Sequence, residues 1–241
     1  MMMKKYLKYY LLEIFISIGF LLFFGCASPS VEVETVESGK IYIKSKRSFF
    51  DGLTNPFDRL KASVVAIIFN DSRGSGFLIS KDGYILTAAH VVGDAKTVKV
   101  RFVNGREISG EVLRKSITED ISLLKINGNK MIPILLNTNT PKIGSKVVAI
   151  ANAPTPKSEF GIALAFGTLS AYRNENEIDY IQSDAILLLL GADGGPLVDN
   201  DFNAIGVFIN ARFLNESIQL SGSNYFLPIA DALHALDVEL K

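Results

Sequence analysis

Residues 191–197 read Gly191-Ala192-Asp193-Gly194-Gly195-Pro196-Leu197, and this stretch, with two others upstream, decides the fold. Its glycines let backbone N–H groups converge on one point, which is how an oxyanion hole is built. Alone, Gly-Gly-Pro marks an ordinary loop. The first upstream partner is Gly74-Ser75-Gly76-Phe77-Leu78-Ile79 followed by Thr87-Ala88-Ala89-His90-Val91-Val92. His90 follows small residues at the end of a strand, where an imidazole projects into a cleft and serves as a general base. The second partner is Asp120-Ile121-Ser122-Leu123-Leu124-Lys125. An acid directly before an apolar strand can be held against an imidazole N–H, fixing its tautomer. Each part has a plainer reading, as a structural histidine or a strand-capping aspartate. The order His, Asp, glycine-rich loop is far more specific than any one of them.

Working outward, residues 62–210 are short β-branched or apolar runs separated by turns. Examples are Val64-Val65-Ala66-Ile67-Ile68-Phe69, Tyr84-Ile85-Leu86-Thr87, Lys146-Val147-Val148-Ala149-Ile150 and Ile205-Gly206-Val207-Phe208-Ile209-Asn210. In the run 98–103, Lys99 and Arg101 alternate with an apolar face. Asp82-Gly83, Asn104-Gly105 and Asn127-Gly128 are each suited to positive φ in a tight hairpin. About a dozen such strands predict an all-β barrel or sandwich. A single helix is expected, over about 228–236, opened by Pro228. No internal repeat is present, and no further domain is expected within the 241 residues.

The N-terminus reads as a targeting segment. Lys4, Lys5 and Lys8 precede an apolar run, 14–24, that ends at Gly25-Cys26-Ala27-Ser28. A small residue before a lone cysteine at the end of an apolar stretch is similar to a bacterial lipoprotein signal, with Cys26 as the lipid-attachment residue. Phe23, Phe24 and Glu13 depart from that pattern. An uncleaved anchor is the alternative, although 11–25 is short for a hydrocarbon core of roughly 30 Å. Either way, the remainder is expected to be exported and tethered to a membrane in the cell envelope. With one cysteine, no intrachain disulfide forms. A net charge of zero gives no sign of nucleic-acid binding. The expected organisation is a signal peptide over 1–26, a polar tether over 27–57 with one short strand at Ile41-Tyr42-Ile43, and a catalytic-type domain over 58–241.

Taken together, the three segments resemble the catalytic blocks of trypsin-like serine peptidases, and most of all the bacterial HtrA (Deg) branch. Gly74-Ser75-Gly76-Phe77 and Ile181-Gln182-Ser183-Asp184-Ala185 support the likeness, which runs over about 62–236. It implies two six-stranded antiparallel β-barrels with a cleft between them. It further implies His90 and Asp120 as catalytic partners and the N–H groups of Gly191 and Asp193 as the oxyanion hole. The PDZ domains usual in HtrA proteins are not expected in this chain.

One position breaks the pattern. The family loop reads Gly-Asn-Ser-Gly-Gly-Pro-Leu, so Ala192 stands for Asn and Asp193 for the nucleophilic serine. Upstream, Ile186-Leu187-Leu188-Leu189-Leu190 replaces a shorter segment that often holds Asn-Pro. A second carboxylate beside His90 favours imidazolium and removes the base. It also reaches toward the oxyanion hole. Attack on an amide by this weakly basic group would give an anhydride that reverts. Ser183 is read as structural, and Ser122, Ser221 and Ser223 lack flanking glycines. The leucines read as a buried strand or packed loop, or as the filling of a specificity pocket walled by 207–210.

The expected function is therefore a membrane-tethered, catalytically inactive homologue of a trypsin-like serine peptidase that binds a peptide or protein. An endopeptidase of altered or narrow activity and a structural surface lipoprotein are the alternatives. No cofactor and no metal are expected. Oligomers, including trimers, would draw on Phe49, Phe50 and Phe57, which equally suit packing on their own barrel.

Overall fold

A computed structural model describes residues 39–44, 55–155, 158–185, 187, 190–209 and 224–241. Cys26, Phe49, Phe50, Ile186, Leu188, Leu189, Asn210, Ser221 and Ser223 lie outside the described residues. The elements begin with β1 (Ile41–Ile43), α1 (Pro56–Ser63), β2 (Val64–Phe69), β3 (Ser72–Leu78), β4 (Tyr84–Ala88) and α2 (Ala89–Val92). Next come β5 (Thr97–Arg101), β6 (Glu107–Ser116), β7 (Ile121–Ile126), β8 (Lys146–Thr155), β9 (Ser158–Glu175) and β10 (Ile178–Ser183). The last are β11 (Pro196–Val198), β12 (Ala204–Ile209), β13 (Asn224–Pro228), α3 (Ile229–Ala235) and β14 (Val238–Leu240).

The expected pair of barrels is present. Strands β2-β3-β4-β7-β6-β5 close one barrel and β10-β13-β12-β11-β8-β9 the other, each of six strands paired antiparallel. Closure leaves no open edge among these twelve strands. The alternation in 97–101 is realised: Val98 and Val100 are buried while Lys99 is exposed. Hairpin turns occur at Gly83 (φ +100°) and Gly105 (φ +84°). Gly128 is a correction. It has no positive φ, because the chain after β7 forms no hairpin and instead leads to β8 of the other barrel.

A second correction concerns helices. The sequence gives one, and it is present as α3 behind Pro228, but α1 and α2 stand beside it. Helix α1 starts inside the stretch read as tether. Asn55 caps it by accepting the Phe57 N–H at 2.9 Å, and Pro56 opens it. Eight residues with only Leu60 and Ser63 buried give too little periodicity to be read as a helix. The short strand at 41–43 is present as β1. It pairs parallel with β14, Ile41 opposite Val238, and so fixes this segment beside the C-terminal strand. Phe57 packs on its own chain, with ring centroids 5.3 Å from Phe202 and 6.3 Å from Phe166. Among the described residues no helix is long and apolar enough to cross a membrane.

Candidate active site

Strand β4 ends at Ala88, and the single turn α2 carries His90 out of the sheet. Val91 and Val92, both buried, seat that turn against the first barrel. Asp120 precedes β7 with φ +53°, an unusual conformation for a non-glycine residue. Its backbone oxygen accepts the Ala89 N–H at 3.0 Å, and its Oδ1 accepts the His90 N–H at 2.8 Å. Oδ2 lies 2.7 Å from His90 Nδ1. Three contacts from one aspartate thus set both the backbone and the ring of His90.

Asp193 comes from the second barrel, in the loop before β11. Gly194 has φ +85°, and a Cβ there would lie 2.3 Å from the Ser75 carbonyl oxygen and 2.5 Å from Thr87 Oγ1. Only glycine meets both demands. The Asp193 carbonyl accepts the Ser75 N–H at 2.7 Å, and Ser75 Oγ donates to the Gly191 carbonyl at 2.6 Å. The loop is therefore pinned to the first barrel, and Asp193 Oδ2 stands 3.6 Å from His90 Nε2.

The structure brings the side chains of His90, Asp120 and Asp193 together. His90 and Asp193 are mostly buried, with 23% and 17% of their side chains exposed. Burial alone would lower the His90 pKa, but the bond to Asp120 and then the Asp193 carboxylate outweigh it and push it up to about 9. Burial also pushes the phenol of Tyr180 up to about 12, and the charges of Asp120 and Glu119 add to the rise.

Among the described residues, the carboxylate of Asp193 accepts from neither of the N–H groups expected to form an oxyanion hole. Its Oδ1 is buried without a hydrogen-bond partner. Among the described residues, the N–H groups of Gly191 and Asp193 donate to no acceptor. The Gly195 N–H donates to the Ala192 carbonyl at 3.0 Å. Because the peptide is trans, the Asp193 N–H points away from that bond.

Of the other serines, Ser183 Oγ donates to the Thr168 carbonyl at 2.9 Å and accepts the Ala185 N–H, a structural arrangement. Ser122 is fully buried and its hydroxyl has no partner. The leucine run needs correcting. Leu187 is buried with Ala185, Ala192, Phe208 and Phe226 in the apolar core of the second barrel, but Leu190 is 89% exposed. Ser75 is the residue whose part was missed. Its one sequence signal was its place between two glycines ahead of the His90 strand. Among the described residues, no three His, Cys, Asp or Glu side chains group so as to hold a metal ion.

Comparison with known proteins agrees with this geometry. A family model of the trypsin-like peptidase domain matches residues 74–207. A probable periplasmic serine endoprotease, DegP-like, from Pseudomonas fulva is 34% identical over 173 residues, 69% of this chain and 34% of the relative. A similarly named protein from Pseudomonas fluorescens is 37% identical over 172 residues, 67% of this chain and 34% of the relative. The chain thus spans about a third of the length of these curated relatives. Among solved structures, the serine endoprotease from Yersinia pestis superposes with a TM-score of 0.61 at 28% identity, covering 76% of this chain and 65% of the other. The HtrA-type protease AlgW with a tripeptide gives 0.63 at 27%, covering 74% and 60%.

Proposed function

The chain belongs to the trypsin-like peptidase family, and on that premise we propose that it is a catalytically inactive member that binds a peptide or protein through its cleft. One observation carries the reading. The Asp193 carboxylate faces His90 Nε2 at 3.6 Å, and we read Asp193 as standing where the family has its nucleophile. An imidazole held as imidazolium accepts no proton, and the side chain it faces at Nε2 is a carboxylate in place of a hydroxyl. The N–H groups of Gly191 and Asp193, which donate to no acceptor among the described residues, support the binding half of the proposal. They leave a place for a ligand carbonyl at a site with no competent nucleophile. One structural relative, the HtrA-type protease AlgW, was solved with a tripeptide.

The N-terminal segment gives the rest of the proposal. Cys26 is acylated after signal cleavage, and the domain is held at the membrane on the exported side. The matched relatives are named periplasmic proteins, which agrees with export.

The test uses the full chain. A fluorophosphonate probe should not label it, and casein should survive incubation. Labelling of any serine, or casein cleavage that His90→Ala abolishes, would sink the inactive reading. A peptide array decides between a binding module and an inert structural lipoprotein. Binding that a cleft-blocking substitution abolishes supports the first.

A further inference from the structure

We infer that Ser75 is the positioning residue of this cleft: it ties the loop that carries Asp193 to the strand that leads to His90 and so holds the two together. The inference rests on the reading of the cleft as a His90 site closed by Asp193.

Every polar atom of Ser75 is engaged, and the residue is fully buried. Its N–H donates to the Asp193 carbonyl at 2.7 Å. Its hydroxyl donates to the Gly191 carbonyl at 2.6 Å and accepts the Asn152 N–H of β8 at 2.9 Å. Its own carbonyl accepts from Thr87 Oγ1 at 2.6 Å. Thr87 lies three residues ahead of His90 on β4, in register with Gly76 next to Ser75. The path from one charged group to the other therefore runs Thr87, Ser75, Asp193. Ser75 thus bonds the 191–193 loop through its N–H and its hydroxyl, while its carbonyl holds Thr87 within the first barrel.

The arrangement matters because an ion pair between two barrels lasts only if both ends stay still. Asp120 fixes His90. The carbonyls of Gly191 and Asp193, one residue to either side of Ala192, are both anchored on Ser75, so the Cα of Asp193 cannot drift from the first barrel. Losing the hydroxyl frees the Gly191 carbonyl and leaves the buried Asn152 N–H unpaired. The loop then relaxes, and the carboxylate moves away from the ring.

Ser122 supplies a matched control. It sits opposite Thr87 in the neighbouring strand, is equally buried, and its hydroxyl has no partner. Ser122→Ala removes a buried hydroxyl without breaking a bond.

The readout is the titration of His90 by ring-labelled NMR on the full chain in detergent micelles. The charged groups facing the ring, among the described residues, are Asp120 and Asp193. The chain has two histidines, and His234 in α3 serves as an internal reference. Asp193→Asn should lower the His90 midpoint by about one pH unit or more. Ser75→Ala should lower it by at least about half as much, and Ser122→Ala should leave it in place. A Ser75→Ala midpoint equal to that of Ser122→Ala overturns the inference. So does an Asp193→Asn midpoint equal to that of the intact chain, because there is then no pair to position. If Ser75→Ala does not melt cooperatively, Ser75→Cys, of similar size and poor hydrogen-bonding power, carries the same readout and the same expected fall. None of these outcomes bears on proteolysis, which the casein and probe assays decide separately.

Discussion

Asp193 approaches His90 at Nε2, 3.6 Å away, while Asp120 holds Nδ1 on the other side of the ring at 2.7 Å. In a working peptidase Nε2 is the atom that takes a proton from the nucleophile. Here it faces the carboxylate of Asp193. On the proposed reading, one residue both removes the nucleophile and disables the base. The backbone around it is kept, because Gly194 and the carbonyls of Gly191 and Asp193 are fixed by contacts with the first barrel.

The first consequence is a pH dependence of stability. The His90 pKa is raised from 6.5 to about 9 on folding. A group whose folded value is raised contributes stability that is fully present below its unfolded pKa and lost as pH rises through the folded one. The window is thus roughly pH 6.5 to 9, and the whole contribution is at most about 3 kcal/mol. Urea unfolding of the intact chain should weaken across that window, and Asp193→Asn should weaken less. Parallel curves would show that Asp193 does not share in the effect.

Asp193→Ser alone should restore labelling by a fluorophosphonate. The substitution removes the second carboxylate, lowers the His90 pKa and puts a hydroxyl beside Nε2. Adding Ala192→Asn completes the family sequence but should not help. Ala192 is fully buried in the apolar core of the second barrel. An amide there without partners costs about 1–3 kcal/mol. The double variant should melt below the single one; an equal or higher melting temperature would show that the loop repacks.

Gly194→Ala tests how far the loop geometry is fixed. The position has φ +85° and a Cβ would meet the Ser75 oxygen at 2.3 Å. Backbone strain and a clash with main-chain atoms should cost more than about 2 kcal/mol together. A melting temperature within a degree or two of the intact chain would mean that the barrels part easily.

Cys26→Ser tests the tether. Metabolic labelling with a fatty-acid analogue should mark the intact chain and miss the variant, which should also keep its unprocessed length. Equal labelling of both would remove the lipid-anchor reading and leave the apolar segment itself as the anchor.

Much of this was legible in the sequence, for physical reasons. Strands announced themselves by apolar runs and by Asp82-Gly83 and Asn104-Gly105, whose backbone demands are local. His90, Asp120 and Asp193 could be singled out because each sits in an unusual local setting: after small residues, before an apolar strand, and among glycines. Helix α1 was not legible, because its start rests on a cap at Asn55 and its burial on two residues. Nor was the direction of the Asp193 carboxylate, which depends on a loop held from another barrel. Ser75 shows the same limit. Its role lies in contacts with Gly191 and Asn152, 116 and 77 residues away in sequence.

The leucine run makes the last test, since four identical residues cannot reveal from sequence which of them packs. Leu187 is 5% exposed within the second-barrel core, and Leu190 is 89% exposed. Leu187→Ala should leave a cavity beside Ala192 and Phe208 and cost about 2–4 kcal/mol. Leu190→Ala should change stability by no more than about 0.5 kcal/mol. The asymmetry separates packing from composition: a run buried throughout would give two large losses, and one wholly in solvent would give two small ones. Thermal melts of the two variants side by side decide it. Equal losses would mean that the segment before Gly191 is seated otherwise than described, and the Gly191 peptide with it.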